Sequence, residues 1–527
     1  MIDLTVAQIA EIVGGEIADI SPAAAAGLHV TGTVEFDSRA VTPGGLFLAL
    51  PGARTDGHDY ARAAVQAGAV AVLAARPVGM PAILVKRVRP TVRAGTSGTS
   101  VGAASVLEHD HDGSGAAVLA ALGRLASAVA TELVAGGLTI IGVTGSSGKT
   151  STKDLLAAVL APLGAVVAPP GSFNNELGHP WTVLRADRDT GYLILEMSAR
   201  HRGNVAALAA IAPPAIAVVL NVGTAHLGEF GSRQAIADTK AELAQSVPES
   251  GVVILNVDDP AVAAMAELTA ARVVRVSRTS RTDAGPSDLW AEAVSLDELA
   301  RPRFTLHTGH HTGQEAGQTA GQEAVEVALG VHGDHQVGNA LCAAAVALEC
   351  GATPQQVAAA LSGAGPISGH RMAVATRANG VTVIDDAYNA NPDSMRAGLR
   401  ALAWIARQGV SPARPRRRSF AVLGEMAELG PDAIAEHDHI GRLAVRLDVS
   451  RLVVVGTGRA MSAMHHGAVM EGSWGGESTM VADAGAAQAL LRAELQAGDV
   501  VLVKASNAAG LGALADNLAT DVGDDPR

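Results

Sequence analysis

The sequence contains very few cysteines: Cys342 and Cys350 lie eight positions apart in one alanine-rich stretch of a 527-residue chain. This number and spacing exclude a disulfide framework and indicate buried, reduced thiols of a cytoplasmic protein. Long apolar runs are lacking too, because Arg, Glu, Gly or Pro interrupts each before it could span a bilayer. We therefore expect a soluble cytoplasmic monomer without membrane insertion.

Positive charge is also scarce, since the formal net charge is −13 and the single basic run is the short RPRRR at 414–418. This balance excludes an extended nucleic-acid surface. Lysine is the rarer of the two basic residues. Because the chain uses Arg for ordinary charge, a retained Lys is a candidate for a role that requires an amine. The five lysines are Lys86, Lys149, Lys153, Lys240 and Lys504. For Lys86 and Lys153, a position that arose by chance remains open.

Length and composition predict an α/β protein of three domains. A chain of this length divides into about three domains, and 48% hydrophobic with 17% charged residues is typical of globular proteins. Alternating strand and helix patterns predict a small α/β domain at 1–137, a central domain with a doubly wound parallel sheet at 138–365, and a Rossmann-like domain at 366–527. Gly/Ser/Thr-rich segments at about 88–115 and 307–324 are expected to be flexible insertions. The second contains three histidines, which fit an exposed hairpin loop better than a metal site.

The stretch 138–160 predicts a phosphate-binding loop between a buried strand and a helix. Thr139 to Val143 form a β-branched run, and Leu155 and Val159 follow at helical spacing. In such a loop, glycines let backbone amides face an anion, a lysine reaches the outer phosphates and a threonine hydroxyl serves Mg²⁺. The form is short, because Val143 stands where the general pattern has glycine. The predicted loop residues are Gly145, Ser146, Ser147, Gly148, Lys149, Thr150 and Ser151.

Polar side chains follow several predicted strands at the point where each strand ends. Glu196 follows YLIL, His226 comes shortly after IAVVL, and Asn256 follows VVIL. Carboxyl ends of parallel strands share one edge, so these residues should converge on the phosphate loop, where a carboxylate is typically a Mg²⁺ ligand. Similar positions in the last third are Asp385, Asp386, Asn389, Asn391, Glu425 and Lys504. In the first third, turn chemistry explains the clusters Asp37–Arg39 and Asp56–His58 as well as ligand binding does.

Seven segments together resemble the motifs of the Mur ligase family. The segments are TGSSGKTSTKD, SFNNELGHP, LEMSARHRGNV, NVGTAHLGEFGS, GDHQVGNALCAAA, DDAYNANPDSM and LGEMAELG. The similarity covers nearly the whole chain outside the two insertions. The chain departs from the family with KASN at 504–507 in place of KGSR, and with GHRM in place of GRM. The DNPR signature of the diaminopimelate-adding member is absent from the sequence. The resemblance implies an ATP-dependent enzyme of peptidoglycan synthesis, and so of cell-wall biogenesis, cell shape and cell division.

The resemblance also implies a reaction and its residues. ATP would phosphorylate the terminal carboxylate of UDP-N-acetylmuramoyl-tripeptide, and the amine of D-alanyl-D-alanine would attack the acyl phosphate. The implied catalytic residues are Lys149, His226 and Lys240. The implied Mg²⁺ ligands are Thr150, Glu196, His226 and Lys240, the last as a carbamate. The implied ATP contacts beyond the loop are Asn256, His335, Asn339, Arg371 and Asp386. The implied substrate contacts are Ser38, Arg39, Asn174, Asn175, Ser198 and Arg202 for the precursor, with Asn389, Asn391 and Glu425 for the dipeptide.

Two other functions remain open from the sequence. One is a sibling ligase of the same fold that adds a different amino acid. The other is a regulator that binds ATP and precursor without catalysis, against which Glu196, His226 and Lys240 argue, because a switch needs no second metal. Lys240 itself could be an ordinary helical lysine paired with Glu242 or a phosphate, and the third residue of the tripeptide is not fixed by the sequence.

Overall fold

The computed structural model describes residues 1–52, 55–87, 110–223, 227–283, 285–309, 323–408, 416–472 and 475–520. Both predicted insertions fall largely outside these ranges. The described residues form three larger sheets with helices packed against them. This agrees with the predicted α/β class.

The first part of the chain forms a small five-stranded sheet. Its strand order is β2-β7-β6-β5-β4, and β1 pairs separately with β3. The first helix begins with a capping box, in which Thr5 and Gln8 satisfy each other's backbone amides, and it ends at Gly14 in the left-handed conformation. The elements are β1 (Leu4–Thr5), α1 (Val6–Val13), β2 (Glu16–Ala18), α2 (Pro22–Gly27), β3 (His29–Val30), β4 (Val34–Glu35), β5 (Gly45–Leu48), α3 (Ala61–Ala67), β6 (Ala69–Ala74) and β7 (Ala82–Leu84).

The middle of the chain forms a nine-stranded sheet in the order β18-β17-β16-β13-β12-β11-β8-β10-β9. The phosphate loop follows β8 near the sheet centre. The elements are α4 (Ser114–Ala135), β8 (Thr139–Thr144), α5 (Lys149–Leu160), β9 (Ala165–Val167), α6 (Gly178–Val183), β10 (Thr190–Glu196), α7 (Asn204–Ile211), β11 (Ile216–Val219), α8 (Leu227–Phe230), α9 (Arg233–Gln245), β12 (Val252–Asn256), α10 (Pro260–Ala263), β13 (Arg272–Ser277), β14 (Arg281–Thr282), β15 (Gly285–Pro286), β16 (Leu289–Leu296), β17 (Pro302–Thr308), β18 (Glu323–Ala328), α11 (Gln336–Glu349) and α12 (Pro354–Gly363).

The central sheet is mixed, whereas the sequence predicted a parallel one. The strands from β9 to β16 are parallel neighbours, but β16, β17 and β18 pair antiparallel. The physical reason is the length of the connection. Parallel neighbours need a crossover of a dozen or more residues, and the chain has five residues between Leu296 and Pro302, which suffice for a hairpin.

The last part of the chain forms a six-stranded sheet in the order β19-β20-β24-β21-β22-β23. All neighbours are parallel except β19 and β20. The elements are β19 (Ala373–Thr376), β20 (Thr382–Asp386), α13 (Pro392–Arg407), β21 (Ser419–Leu423), α14 (Ala433–Arg446), β22 (Arg451–Val455), α15 (Arg459–Glu471), β23 (Ser478–Val481), α16 (Ala484–Glu494), β24 (Val500–Lys504) and α17 (Gly512–Thr520).

The apolar cores do not follow the three predicted domains one to one. One continuous cluster joins the first sheet, α4 and one face of the central sheet, and it includes Leu46, Leu122 and Leu195. The opposite face of the central sheet packs with α5 and α11. The last sheet has clusters on both of its faces. The first two predicted domains therefore share a core, and the boundaries at 137/138 and 365/366 stay predictions.

Helix α4 is long and apolar enough to cross a membrane by length and composition, the one such helix among the described residues. However, 56% of its most apolar window is buried inside the protein. It packs against α1, α6 and α7, so it serves as a core helix.

The ends of both predicted insertions belong to ordered structure. Asp110 accepts hydrogen bonds from the amides of Gly115 (2.9 Å) and Ala116 (2.8 Å), and it thereby supports the start of α4. The strands β17 and β18 include residues 307–308 and 323–324, which pair across the hairpin. This pairing agrees with the hairpin predicted at 307–324, although the paired strands extend two residues into each end of the predicted loop. Residues 88–109 and 310–322 lie outside the described ranges.

Candidate functional site

A cavity of about 1140 Å³ opens at the carboxyl edge of the central sheet, beneath residues of the last sheet. Its walls come from the phosphate loop, from the segments after β9, β10 and β12, from α11 and α13, and from the segments after β20 and β24. The structure thus brings together residues far apart in sequence. The predicted site residues that line it are Ser146, Ser147, Gly148, Lys149, Thr150, Ser151, Asn174, Asn175, Ser198, Asn256, His335, Asn339, Arg371, Asp386, Asn389 and Asn391.

The phosphate loop is held in place by Asn221, which follows the neighbouring strand β11. Ser147 donates its amide to Asn221 Oδ1 (3.0 Å), Asn221 Nδ2 donates to the carbonyl of Ser147 (3.1 Å), and the Ser146 amide donates to the carbonyl of Asn221 (3.1 Å). Gly148 has φ +84°, and a Cβ there would lie 2.7 Å from Asn339 Oδ1. Glycine is therefore required for both conformation and space. These contacts fix the conformation of the loop, and they engage the amides of Ser146 and Ser147 with Asn221.

Lys149 begins α5 and points its amine back across the loop. Its Nζ donates to the carbonyl of Gly145 at 2.7 Å. Burial lowers the pKa of Lys149, while the nearby carboxylate of Glu196 opposes that shift. An anionic phosphate entering the loop would stabilise the ammonium form, because opposite charge favours ionisation.

Glu196 lies at the end of β10 and is completely buried. Its Oε2 accepts hydrogen bonds from Thr150 Oγ1 and Ser172 Oγ, both at 3.3 Å, and from Asn174 Nδ2 at 3.4 Å. Its Oε1 is buried and has no hydrogen-bond partner among the described residues. A buried carboxylate oxygen without a donor is costly, so a cation beside Thr150 and Glu196 fits this arrangement.

Lys240 lies on α9 and is buried, outside the cavity lining. Its amine makes no hydrogen bond or ion pair with a described residue, including Glu242, which instead accepts hydrogen bonds from the amides of Gly203 and Ala206. Burial lowers the pKa of Lys240 well below its usual value, and the charge of Lys149 lowers it further. The neutral amine is therefore easier to form at Lys240 than at an exposed lysine. His226, its predicted companion, falls outside the described residues.

Arg371 reaches the phosphate loop from the chain that leads into the last sheet. Its Nη2 donates to Thr150 Oγ1 at 3.2 Å, and its guanidinium carbon lies 4.1 Å from the ring centroid of Tyr388. Behind it, Lys504 Nζ donates to Asp386 Oδ2 (2.5 Å) and to the carbonyl of Asn389 (2.9 Å). This buried pair connects the ends of β20 and β24 and fixes the segment that faces the loop.

The predicted adenine residues occupy one end of the cavity. Asn256, His335 and Asn339 all line it, and burial lowers the pKa of His335. Arg278 lines the same end and forms a 2.6 Å ion pair with Asp334. Neutral imidazole and amide groups suit a heterocyclic base with several donors and acceptors.

Four predicted substrate residues are not brought to the cavity. Ser38 and Arg39 belong to the first sheet region, where Arg39 is exposed and its guanidinium lowers the pKa of Asp37 to about 2. Arg202 forms an exposed 2.9 Å ion pair with Asp238. The fourth, Glu425, is also exposed. Ser38 and Arg39 were predicted to contact the UDP sugar on the first domain, so the roles of all four residues stay predictions.

The cavity has charged residues that the sequence did not single out. Glu428 lines it and accepts a hydrogen bond from Arg200 at 3.2 Å. Arg396 and Arg400 line it from one face of α13, and Arg396 donates to Glu436 at 3.1 Å. Their spacing of four residues on a predicted helix was a usable signal, because it places both guanidiniums on one side.

Fold and site together define a phosphate-loop enzyme that uses a nucleoside triphosphate. Three family models match the chain in order: "Mur ligase family, catalytic domain" at 31–96, "Mur ligase middle domain" at 143–347, and "Mur ligase, glutamate ligase domain" at 370–507. The chain belongs to the Mur ligase family, whose members are ATP-dependent ligases that form amide bonds.

Individual relatives agree with this assignment over nearly the full length. The UDP-N-acetylmuramoyl-tripeptide–D-alanyl-D-alanine ligase of Mycobacterium tuberculosis strain H37Rv is 73% identical, covering 99% of this chain and 98% of the relative. The enzyme of that name from Escherichia coli K12 is 32% identical over 86% of each chain. MurF from Acinetobacter baumannii has a similar crystal structure, with a TM-score of 0.76, 26% identity, and coverage of 98% and 99%. MurF ligase from Thermotoga maritima, solved with ADP, has a TM-score of 0.69, 26% identity, and coverage of 92% and 97%.

Proposed function

We propose that this chain is the ATP-dependent ligase that joins D-alanyl-D-alanine to UDP-N-acetylmuramoyl-tripeptide in peptidoglycan precursor synthesis. The curated relatives at 70–73% identity carry this name. The observation that carries the proposal is the convergence on Thr150 of the phosphate loop, the buried carboxylate of Glu196 and the guanidinium of Arg371. This convergence joins two sheets around one phosphate site, as a phosphoryl-transfer reaction with two further substrates requires.

The proposed reaction has two steps. In the first, the terminal carboxylate of the tripeptide attacks the γ-phosphorus of ATP, the bond to the β-phosphate oxygen breaks, and ADP leaves. In the second, the dipeptide amine attacks the acyl carbon, phosphate leaves with the bonding electrons, and the nitrogen loses a proton. Lys149 and Arg371 offset the charge on the transferring group. Tyr388 and its neighbours cover the loop and would exclude water from the acyl phosphate.

We infer that Thr150 and Glu196 hold Mg²⁺, because the Thr150 hydroxyl and the unpartnered Oε1 of Glu196 are the oxygen donors that this ion prefers. Bound Mg²⁺ would supply charge neutralisation between the phosphates and the reacting carboxylate. His226 and Lys240 are the proposed ligands of a second ion.

Lys240 is proposed to act as a carbamate. Its neutral amine would form an N–C bond to CO₂ and lose one proton, which converts a buried base into an anionic group with two oxygens. The buried position and the depressed pKa support this chemistry, because a protonated amine does not react with CO₂. An arginine could not serve in the same way.

The substrates are assigned by charge and position. Asn174, Asn175 and Ser198 line the cavity next to Glu196 and are proposed to hold the tripeptide. Asn389 and Asn391 are proposed to hold the dipeptide backbone, with Arg396 and Arg400 supplying cations for its carboxylate. Ser38, Arg39 and Arg202 remain proposed contacts of the UDP sugar, outside the cavity. The proposed units are residues 1–137 for the precursor, 138–365 for ATP and 366–527 for the dipeptide, in a cytoplasmic monomer.

The test is ADP release with UDP-N-acetylmuramoyl-tripeptide, measured with and without D-alanyl-D-alanine. We expect sustained ADP and phosphate release when both substrates are present, together with a product heavier by one dipeptide less one water. Release that depends on a free amino acid instead would identify a sibling ligase. ATP binding without release in any mixture would identify a regulator.

A further inference from the structure

The chain segment 364–372 joins α12 to β19 and carries Arg371 to the phosphate loop. Its two ends are buried, because Ala364 and Met372 pack in the apolar cores of the central and last sheets. Next to Arg371, the amide of Met372 donates to Asp386 Oδ1 (3.2 Å). Between residues 365 and 370, Ile367 is 66% exposed and Ser368 is the buried position, so the contacts of Ser368 fix the middle of the linker.

Ser368 is bound by two adjacent residues of α5. Lys153 Nζ donates to Ser368 Oγ (3.1 Å) and to the carbonyl of Pro169 (3.0 Å), and it lies 2.7 Å from Asp154 Oδ1. Asp154 accepts hydrogen bonds from the amide and the hydroxyl of Ser368, both at 3.1 Å. All three residues are buried: Lys153 is 3% exposed, and Asp154 and Ser368 are each 8% exposed. We call this cluster the Ser368 latch.

The latch and the nucleotide site share one rigid helix. Lys149 and Thr150 form the first turn of α5, and the two latch residues lie in the next turn. Arg371 follows Ser368 by three residues and contacts Thr150. The linker is thus attached to α5 at two points, one at Thr150 next to the phosphate loop and one outside the cavity lining.

We propose that Lys153 and Asp154 are positioning residues, which fix Ser368 and thereby set Arg371 on the nucleotide site. The ammonium of Lys153 has three donors, which meet three acceptors: the Pro169 carbonyl, Ser368 Oγ and Asp154 Oδ1. A guanidinium is larger and planar, so it would not reproduce contacts that converge on one nitrogen atom. This role accounts for a lysine that sequence reasoning had left to chance. This inference rests on the proposed function only in its activity measurement, because the affinity measurement does not require turnover.

A double-mutant cycle between Ser368→Ala and Arg371→Ala tests the proposal. If the latch acts through Arg371, Ser368→Ala should lower kcat/KM for ATP about 10-fold in the wild-type background and less than 2-fold in the Arg371→Ala background. If the latch were merely structural, both backgrounds would lose the same factor, and that result would overturn the proposal. Ser362→Ala is the matched control. Ser362 lies near the end of α12, and its exposed hydroxyl accepts a hydrogen bond from the amide of Ala328 in β18. Because this bond does not involve Lys153, Asp154 or Arg371, Ser362→Ala should change neither background.

Affinity for ADP with Mg²⁺, measured by calorimetry on the same four proteins, separates this inference from the proposed function. An inactive wild type would refute the proposed ligase, while non-additive ADP affinities would still support the latch. Additive affinities in an active enzyme would refute the latch alone. Lys153→Arg should reproduce most of the Ser368→Ala loss, because it keeps the charge without the geometry, and full activity of this variant would also overturn the proposal.

Discussion

Replacing Lys240 with methionine should change stability and activity in opposite directions. The wild-type side chain is buried, and its amine has no hydrogen-bond partner among the described residues. No hydrogen bond to a described residue therefore offsets the unfavourable free energy of its desolvation. Methionine has a similar length and no polar group. The substitution therefore removes a cost from the folded state, and it also removes the proposed carbamate oxygens from the active site.

The magnitudes follow from these two effects. A fully buried polar group left without a partner costs about 1–3 kcal/mol, and Lys240 keeps 9% of its surface exposed, so we expect the free energy of unfolding of Lys240→Met to rise by about 1 kcal/mol in CO₂-free buffer. Because side-chain volume is nearly conserved, the packing term should be small. Loss of one preorganised charged group typically lowers kcat by about 10²- to 10³-fold, and we expect a loss of at least this size.

The assay is urea unfolding and ligase turnover, each with and without bicarbonate. Carbamate formation requires the folded state, so CO₂ at ten times its dissociation constant should stabilise the wild type by about 1.4 kcal/mol. Lys240→Met should show no such increase. Intact mass under bicarbonate should add one CO₂ to the wild type alone, and acetate should partly restore Lys240→Ala by supplying oxygens.

Lys86→Met is the matched control, because Lys86 is exposed and lies in the first sheet region. It should leave both measurements unchanged. Full activity of Lys240→Arg would refute the carbamate, since guanidinium cannot form one. A large loss of stability in Lys240→Met would refute the reasoning from burial.

Three further predictions concern other parts of the molecule. Lys149→Ala should reduce turnover more than tenfold, because the lysine charge acts mainly in the transition state. Calorimetry should show unchanged binding of the UDP precursor. A variant with a tenth or more of wild-type turnover would exclude this role. Asp110→Ala should lower the free energy of unfolding by about 1 kcal/mol, since two amides at the start of α4 lose their acceptor. Deletion of residues 95–109 should instead leave turnover unchanged. An insoluble deletion variant would show that this segment packs against the protein, which composition did not predict. Burial lowers the pKa of His179 to about 4, so the unfolded state binds more protons below pH 6.5, and stability should fall as pH decreases from 6.5 to 4 by about 3 kcal/mol. Urea unfolding of His179→Phe at pH 7 and pH 5 should show a smaller decrease in the free energy of unfolding than the wild type shows. An equal decrease in the two proteins would contradict the role of His179.

The phosphate loop could be predicted from sequence because its signal is local. The strand, the turn and the helix lie within 23 residues, and each has its own composition. Glu196 could be predicted for a related reason, since a strand end next to the loop can face few other directions. The family resemblance then supplied Arg371 and His335, which no local pattern identifies.

The contacts that complete the site depend on packing between distant segments. Lys153 and Ser368 are 215 positions apart, and Arg200 and Glu428 are 228 apart. Neither pair leaves a periodic trace in the sequence. The antiparallel pairing of β17 with β18 agrees with the predicted hairpin, whereas that of β16 with β17 was missed because alternation predicts a strand but not its direction. The assignment of Arg39 to the UDP sugar stays a prediction.

The apolar cluster shared by the first sheet, α4 and the central sheet has a consequence for how this protein unfolds. Residues as far apart as Leu46 and Leu195 lose their packing together, whereas the last sheet keeps clusters that are largely its own. Cooperative units follow cores rather than sequence boundaries. Thermal unfolding should therefore show two calorimetric transitions from three sheets, and proteolysis near the first transition should release either the last sheet or everything that precedes it, as one intact fragment.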